Sequence, residues 1–427
     1  MRHLAALFAA SAGFVAVLWL CGWLVRPDLQ ADLPSYSPEE LAAAEKLRDN
    51  SVDPADDLQI YRAVDYSAGP QAAWYPKGES PILAELVAEG KLPPVQERVG
   101  AEPVVYEGVE GIGKYGGTWV RALTDEGSLR FYMTYELGNT TLLRFSPHGY
   151  PATPLLARSY EVSEDNAVFT FRLRKGMRWS DGHPFTADDI MFWWEGWATW
   201  KDPDTGEQLG WVPEIVKARG KEGRIEKVDE YTVRYIFPES QGIFLEFMTG
   251  GRGAAFAPKP AHYLRKYHPE YGDQALIAET MKAYKLPSKM AVFKFVDTVT
   301  NPERPSLSPW IMQTYRPSGP YTLVRNPYYC AVDTEGNQLP YLDRIHFMVK
   351  NAQMVSMAVA NGETSMQVGE FVDYSLLIDQ RRRNGYEVYH WYPAERSIFS
   401  IAPNHNRKVY SDRPETGFKH ELLNDKR

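Results

Sequence analysis

The sequence predicts an α/β protein of two lobes, and three observations carry that expectation. At 427 residues the chain is too long for one ordinary hydrophobic core and suits two lobes, with room for a third. Hydrophobic residues make up 44% and charged residues 24%, the balance of a folded globular protein and not of a disordered, collagenous or polytopic membrane chain. Strand-like alternation and helix-like caps also follow one another along most of the length, which marks interleaved strands and helices. The formal net charge of −8 argues against nucleic acid as the main partner, because that partner requires a basic face. Aromatic residues reach 13%, with 12 Trp and 26 Tyr. Large stiff rings serve either a wide binding cleft or a Trp-rich core, and composition leaves both open.

The elements are justified in chain order. Leu4 to Val25 is an uncharged run of 22 residues between Arg2-His3 and Arg26. As a helix it is about 33 Å long, enough for a hydrocarbon layer of about 30 Å. A secretory apolar core is shorter, about 7–15 residues, and ends at a small-x-small site. Leu20 before Cys21 does not suit a lipoprotein box. We therefore expect residues 1–25 to be an uncleaved export anchor, ahead of a cleaved signal or a lipidated cysteine; all three place the remainder outside the cytoplasm. The two cysteines, Cys21 and Cys330, allow no disulfide within the exported part and exclude zinc-ribbon and iron–sulfur architectures.

Residues 26–110 are rich in Pro and acids and read as a wrapped extension. Ser37-Pro38-Glu39-Glu40 starts a helix over Leu41–Leu47, and Ser80-Pro81 starts another over Ile82–Glu89 that Gly90 closes. Residues 111–427 form the main domain. A first strand is expected at Thr118–Leu123, and strict alternation from Val168 to Arg174 turns Phe169, Phe171 and Leu173 inward. Thr186 and Asp189 form a capping-box pattern. The helix behind it carries Ile190, Trp193, Trp194, Trp197 and Trp200 on one stripe, which core packing explains better than ligand stacking. Two strands surround Val228-Asp229-Glu230, residues 258–290 read as helical, and Pro305–Pro320 reads as a loop. Strands are expected at Tyr321–Arg325, Ile345–Lys350, Tyr386–Tyr392 and Ser397–Ala402, with a helix at Ala352–Ala360. Arg381–Arg383 reads as a solvated helix end, and His262 and His268 as surface residues.

Several chemical motifs fail on inspection. Gly108 to Lys114 matches the front of a P-loop, but Tyr115 stands where Ser or Thr must hold Mg²⁺, and Gly116-Gly117 leads into a strand instead of a helix. Gly111, Gly113 and Gly116 fit a dinucleotide spacing in the wrong structural order. No HExxH, HxH or GxSxG spacing is present, so no cofactor or metal is expected.

Three blocks resemble the family 5 extracellular solute-binding proteins of ABC importers, the oligopeptide, dipeptide and nickel binders. The first is PLLARSYE at 154–161 followed by FTFRLRKGMRWSDGHPFTADD at 169–189. The second is Ser318-Gly319-Pro320-Tyr321 with Arg325-Asn326-Pro327-Tyr328-Tyr329, and the third is Leu339 to Ile345. The sequence departs from the family at Cys330, where Trp is usual, and at Gly362-Glu363-Thr364-Ser365. Asn424 to Arg427 looks like the opening of a family motif, so the resemblance implies an incomplete second lobe. It implies a periplasmic-binding-protein fold of the type II flytrap kind with an extra subdomain. It also implies binding without catalysis: a peptide or similar small solute is held between lobes and passed to ABC permease subunits in the inner membrane. An exported carbohydrate-active hydrolase, or a carbohydrate-binding protein, is the alternative. The cleft-lining segment by resemblance is Leu123, Thr124, Asp125 and Glu126, with Tyr135, Asn139 and Thr140, and Trp391 and Asn404 near the second lobe.

Overall fold

The structure is a computed structural model. It describes residues 64–108, 111–138, 140–145, 152–218, 221–249, 251–314, 319–389 and 408–424, together with Gly13, Ala16, Val17, Trp19 and Leu20. The chain divides into a unit of residues 1–59 and a unit of residues 60–427. In the first, the five described residues are helical. Among the described residues no helix is long and apolar enough to cross a membrane, and most of the expected anchor over 1–25 lies outside them.

The larger unit is built on two four-stranded sheets. One is antiparallel throughout, in the order Ala157–Val162, Val168–Leu173, Thr232–Ile236, Arg224–Asp229. Its central strand obeys the sequence alternation: Phe169, Phe171 and Leu173 are buried, and Arg172 between them is exposed. Each of these phenylalanines contributes about 1.5–3 kcal/mol by leaving water. They pack with Tyr235, Phe237 and Phe244 in edge-on ring contacts beneath the tryptophan helix. The other sheet runs Trp310–Thr314, Tyr321–Arg325, Arg344–Val349, Thr118–Leu123. Its last two strands are parallel, with Arg344 opposite Thr118. Leu123, Leu323, Ile345 and Phe347 close a second core against Leu129, Tyr132 and Met133. A third core joins helices Ala261–Leu264, Gln274–Tyr284 and Lys289–Val296 through Leu264, Ile277 and Phe293.

Residues 64–108 lie along this body. Ser80 caps helix Pro81–Ala88 by accepting from Leu83 N, and Gly90 takes a positive φ just beyond its end. A strand that the sequence reading did not anticipate, Val104–Tyr106, pairs in parallel with Ala331–Asp333. The buried Arg98 ties the segment down, forming an ion pair with Glu79 and donating to Gln338 Oε1 at 3.0 Å. The glycine-rich stretch therefore joins two strands, Val104–Tyr106 and Thr118–Leu123.

Three expectations are corrected. The Pro305–Pro320 loop contains strand Trp310–Thr314, because Pro309 stands just outside it and Ile311 pairs with Val324. Residues 386–389 are not a strand. Helix Tyr374–Asn384 ends at Gly385 in the left-handed region, and Tyr386 folds back on it, its hydroxyl donating to Leu377 O at 2.6 Å. The remainder of that expected strand, and the one at 397–402, lie outside the described residues. His268 is fully buried, because both ring nitrogens find partners: Nε2 with Gly196 O at 3.0 Å and Nδ1 with Glu270 N at 3.3 Å. His262 is also largely covered; its Nε2 lies 2.7 Å from Asp181 Oδ2 and its ring stacks on His183 at 3.9 Å.

Candidate functional site

Two helices end in one wide turn each, and both wide turns face the same cleft. Thr186 and Asp189 close the predicted capping box at the start of helix Ala187–Trp193. Asp189 is buried and also accepts from Trp179 Nε1 at 3.1 Å and Ala261 N at 2.9 Å. Burial raises its carboxyl pKa, and these donors work against that rise. The helix then widens: Thr199 N donates to Trp194 O, five residues back, at 3.0 Å. The extra residue per turn takes Trp197 off the buried stripe that Trp193 and Trp194 occupy. On the other side, helix Glu126–Phe131 widens in the same way, with Leu137 N donating to Tyr132 O at 2.8 Å.

The cleft between them has a cavity volume of about 190 Å³. Met133, Thr134 and Thr140 stand on one wall, and Trp179, Trp193, Trp197 and Trp211 on the other. Trp211 is 52% exposed and meets Trp197 edge-on at 6.2 Å. Gly210 makes room for this pair, since a Cβ there would lie 2.4 Å from Trp197 Cδ2. The base of the cleft carries three charged side chains. Asp297 forms an ion pair with Lys259 and accepts from Arg304 Nε at 3.0 Å. The Lys259 ammonium also sits 4.2 Å from the centre of the Trp197 ring. Burial pushes the Asp297 carboxyl upward, but the two cations outweigh it and hold the group below its ordinary value. Burial and then Arg304 draw Lys259 down while Asp297 holds it up. Ser308 Oγ donates to Gly138 O at 3.0 Å across the cleft's edge.

Of the residues expected at the site, Thr140 lines this cleft. Asn139, Trp391 and Asn404 lie outside the described residues. The others gather at the carboxyl end of strand Thr118–Leu123 and serve local structure. Leu123 is fully buried in the second core. Thr124 Oγ1 donates to Glu370 Oε2 at 2.6 Å, and Asp125 caps the next helix by accepting from Ser128 N at 2.8 Å. Glu126 pairs with Arg130 at 2.6 Å. Tyr135 is exposed, its ring 5.1 Å from that of Phe131. The sequence reading missed Trp211, Lys259, Asp297 and Arg304, which share no spacing. It noticed Trp197 but assigned it to packing. Among the described residues no group of three or more His, Cys, Asp or Glu side chains is arranged to hold a metal ion.

Comparison with known proteins places this geometry. The family model of the bacterial extracellular solute-binding proteins, family 5, middle section, matches residues 152–426. The periplasmic alpha-galactoside-binding protein of Rhizobium meliloti strain 1021 is 32% identical over 292 residues, covering 62% of this chain and 38% of that protein. Among solved structures, the oligopeptide-binding protein OppA matches with a TM-score of 0.65 at 34% identity, covering 73% of this chain and 49% of that chain. The periplasmic binding protein MelB in complex with stachyose, from Agrobacterium fabrum C58, matches with a TM-score of 0.54 at 28% identity, covering 73% and 46%. The chain thus spans less than half the length of each of these relatives. The sheets are open, in keeping with this likeness.

Proposed function

Because the chain belongs to the bacterial extracellular solute-binding proteins of family 5, we propose that it is the substrate-recognition component of an ABC importer. In this reading it holds a small solute in the tryptophan-lined cleft and hands it to permease subunits. The observation that carries it is the cleft itself. Its cavity of about 190 Å³ sets stiff indole faces beside a charged base, the pairing of apolar wall and placed polar groups that a small-molecule site uses. The proteins of this family are substrate-binding proteins, and we take the chain to act without catalysis. Its relatives are periplasmic, and we place it outside the cytoplasm, tethered by residues 1–25. Residues 26–110 then serve as an extension of the body that follows.

Peptides are the solute class that the sequence reading placed first, and OppA bears an oligopeptide name. A second reading, an oligosaccharide, is favoured by the exposed Trp211 beside Trp197, since flat rings stack on sugar faces. Two relatives bear alpha-galactoside and stachyose in their names. The test is a thermal-shift and tryptophan-fluorescence screen of the full chain against short peptides and against neutral oligosaccharides. A ligand that binds only the folded state at about 100 times its Kd adds about 2.7 kcal/mol of stability and raises Tm. A shift with one library selects that solute class. No shift with either library removes the proposal, and hydrolysis of a bound glycan removes the non-catalytic part.

A further inference from the structure

The base of the cleft carries a charge imbalance that a neutral solute leaves unanswered. Lys259, Asp297 and Arg304 are the charged residues of its lining, so two cations share one carboxylate in a chain whose net charge is −8. Their side chains are only 11%, 9% and 12% exposed, so the surplus positive charge is poorly screened by water. Asp297 has already committed both oxygens, one to each cation. Arg304 uses its Nε on Asp297 and donates once more to Pro305 O at 3.3 Å. A guanidinium has five N–H donors in a planar fork and an ammonium has three, so donors remain on both side chains.

We propose that Lys259 and Arg304 form a carboxylate-binding subsite at the base of the tryptophan-lined cleft, and that the solute is a carboxylate bearing a ring or apolar body. This rests on the solute-binding reading above. The planar fork of Arg304 fits a carboxylate in two parallel bonds. The surplus of one positive charge matches a monoanion better than a phosphate group, which carries about −1.5 to −2 at neutral pH. The exposed Trp211 ring beside Trp197, in the same cleft lining, gives the body of such a ligand an apolar surface. Two sources share this chemistry: an acidic sugar such as a uronate, and the free carboxyl end of a peptide.

The experiment is calorimetric titration of the full chain with two matched pairs. One pair is trigalacturonate against neutral galactotriose; the other is tetra-alanine with a free against an amidated carboxyl end. The carboxylated member of one pair is expected to bind at least about tenfold more tightly, and the pair that shows this identifies the source. Arg304→Lys keeps the charge but loses the fork, and is expected to narrow the preference while the circular dichroism spectrum stays that of the parent. Equal or tighter binding of both neutral members overturns the subsite and leaves the solute-binding reading standing. A preference that survives intact in folded Arg304→Lys and in folded Lys259→Met overturns the assignment to these residues. If none of the four probes binds while another solute in the screen does, the subsite is likewise overturned and the reading stands.

Discussion

The Cys330 thiol lies buried in the first core, and burial pushes its pKa up to about 11. Only the thiolate attacks a labelling reagent, so Cys330 in a native Cys21→Ser variant at pH 8 is expected to resist a disulfide reagent and to label fully once denatured. Absorbance of the released thiolate checks both. His268 sets a second test. Burial, the largest influence, lowers its pKa below the ordinary value near 6.5, so the folded state binds this proton less readily than the unfolded chain. The stability that neutral His268 contributes is therefore fully present above about pH 6.5 and is lost as pH falls through the lower folded value. Urea midpoints are expected to fall between pH 7 and pH 5, and His268→Gln is expected to flatten that slope. The sequence drew attention to Cys330 only as a departure from the family and to His268 only as a surface residue; the burial of neither was visible in it. A histidine among Lys, Tyr, Pro and Glu reads as solvent-facing; the Gly196 carbonyl, 72 positions away, and Glu270 N together make its burial tolerable.

Among the elements, the capped tryptophan helix joins the most parts. Asp189 accepts from the cap, from Trp179 and from the start of helix Ala261–Leu264. Asp189→Ala strands two buried donors and one half-buried one, and each unsatisfied buried donor costs about 1–3 kcal/mol. The expected loss is at least about 2 kcal/mol in urea unfolding, beyond the loss of an ordinary helix cap of about 1 kcal/mol. What the sequence made legible here was local. Alternation revealed Val168–Leu173, and the Thr186–Asp189 spacing revealed the cap. The helix at Ala352–Ala360 was equally plain. What it hid depends on contact. Val104–Tyr106 is a strand because Ala331–Asp333 lies beside it, and Trp310–Thr314 because Tyr321–Arg325 does. The cleft was hidden for the same reason. A wide turn at Trp194–Ala198 shifts Trp197 toward the opening, yet its composition differs little from ordinary helix. The Lys259, Asp297 and Arg304 cluster comes from three separate segments.

At the scale of the molecule, the tether proposed above rests on the 22-residue apolar run at Leu4–Val25. The full chain is expected in the membrane fraction of an expressing bacterium, and deletion of residues 1–25 is expected to move it to the soluble extract. Equal partition of both forms would count against the tether. The order of assembly along the chain is constrained as well. Arg98 is answered by Gln338, 240 positions later, and Val104 by Ala331. Thr118 must also wait for Arg344. Ribosomes add about 5–20 residues per second, so the early segment exists for roughly ten seconds or more before its partners have been made. Such distant pairings slow folding, since loop closure precedes any contact. Until then Arg98, Val104 and Val105 have no home, which makes this early segment a natural client for a holding chaperone.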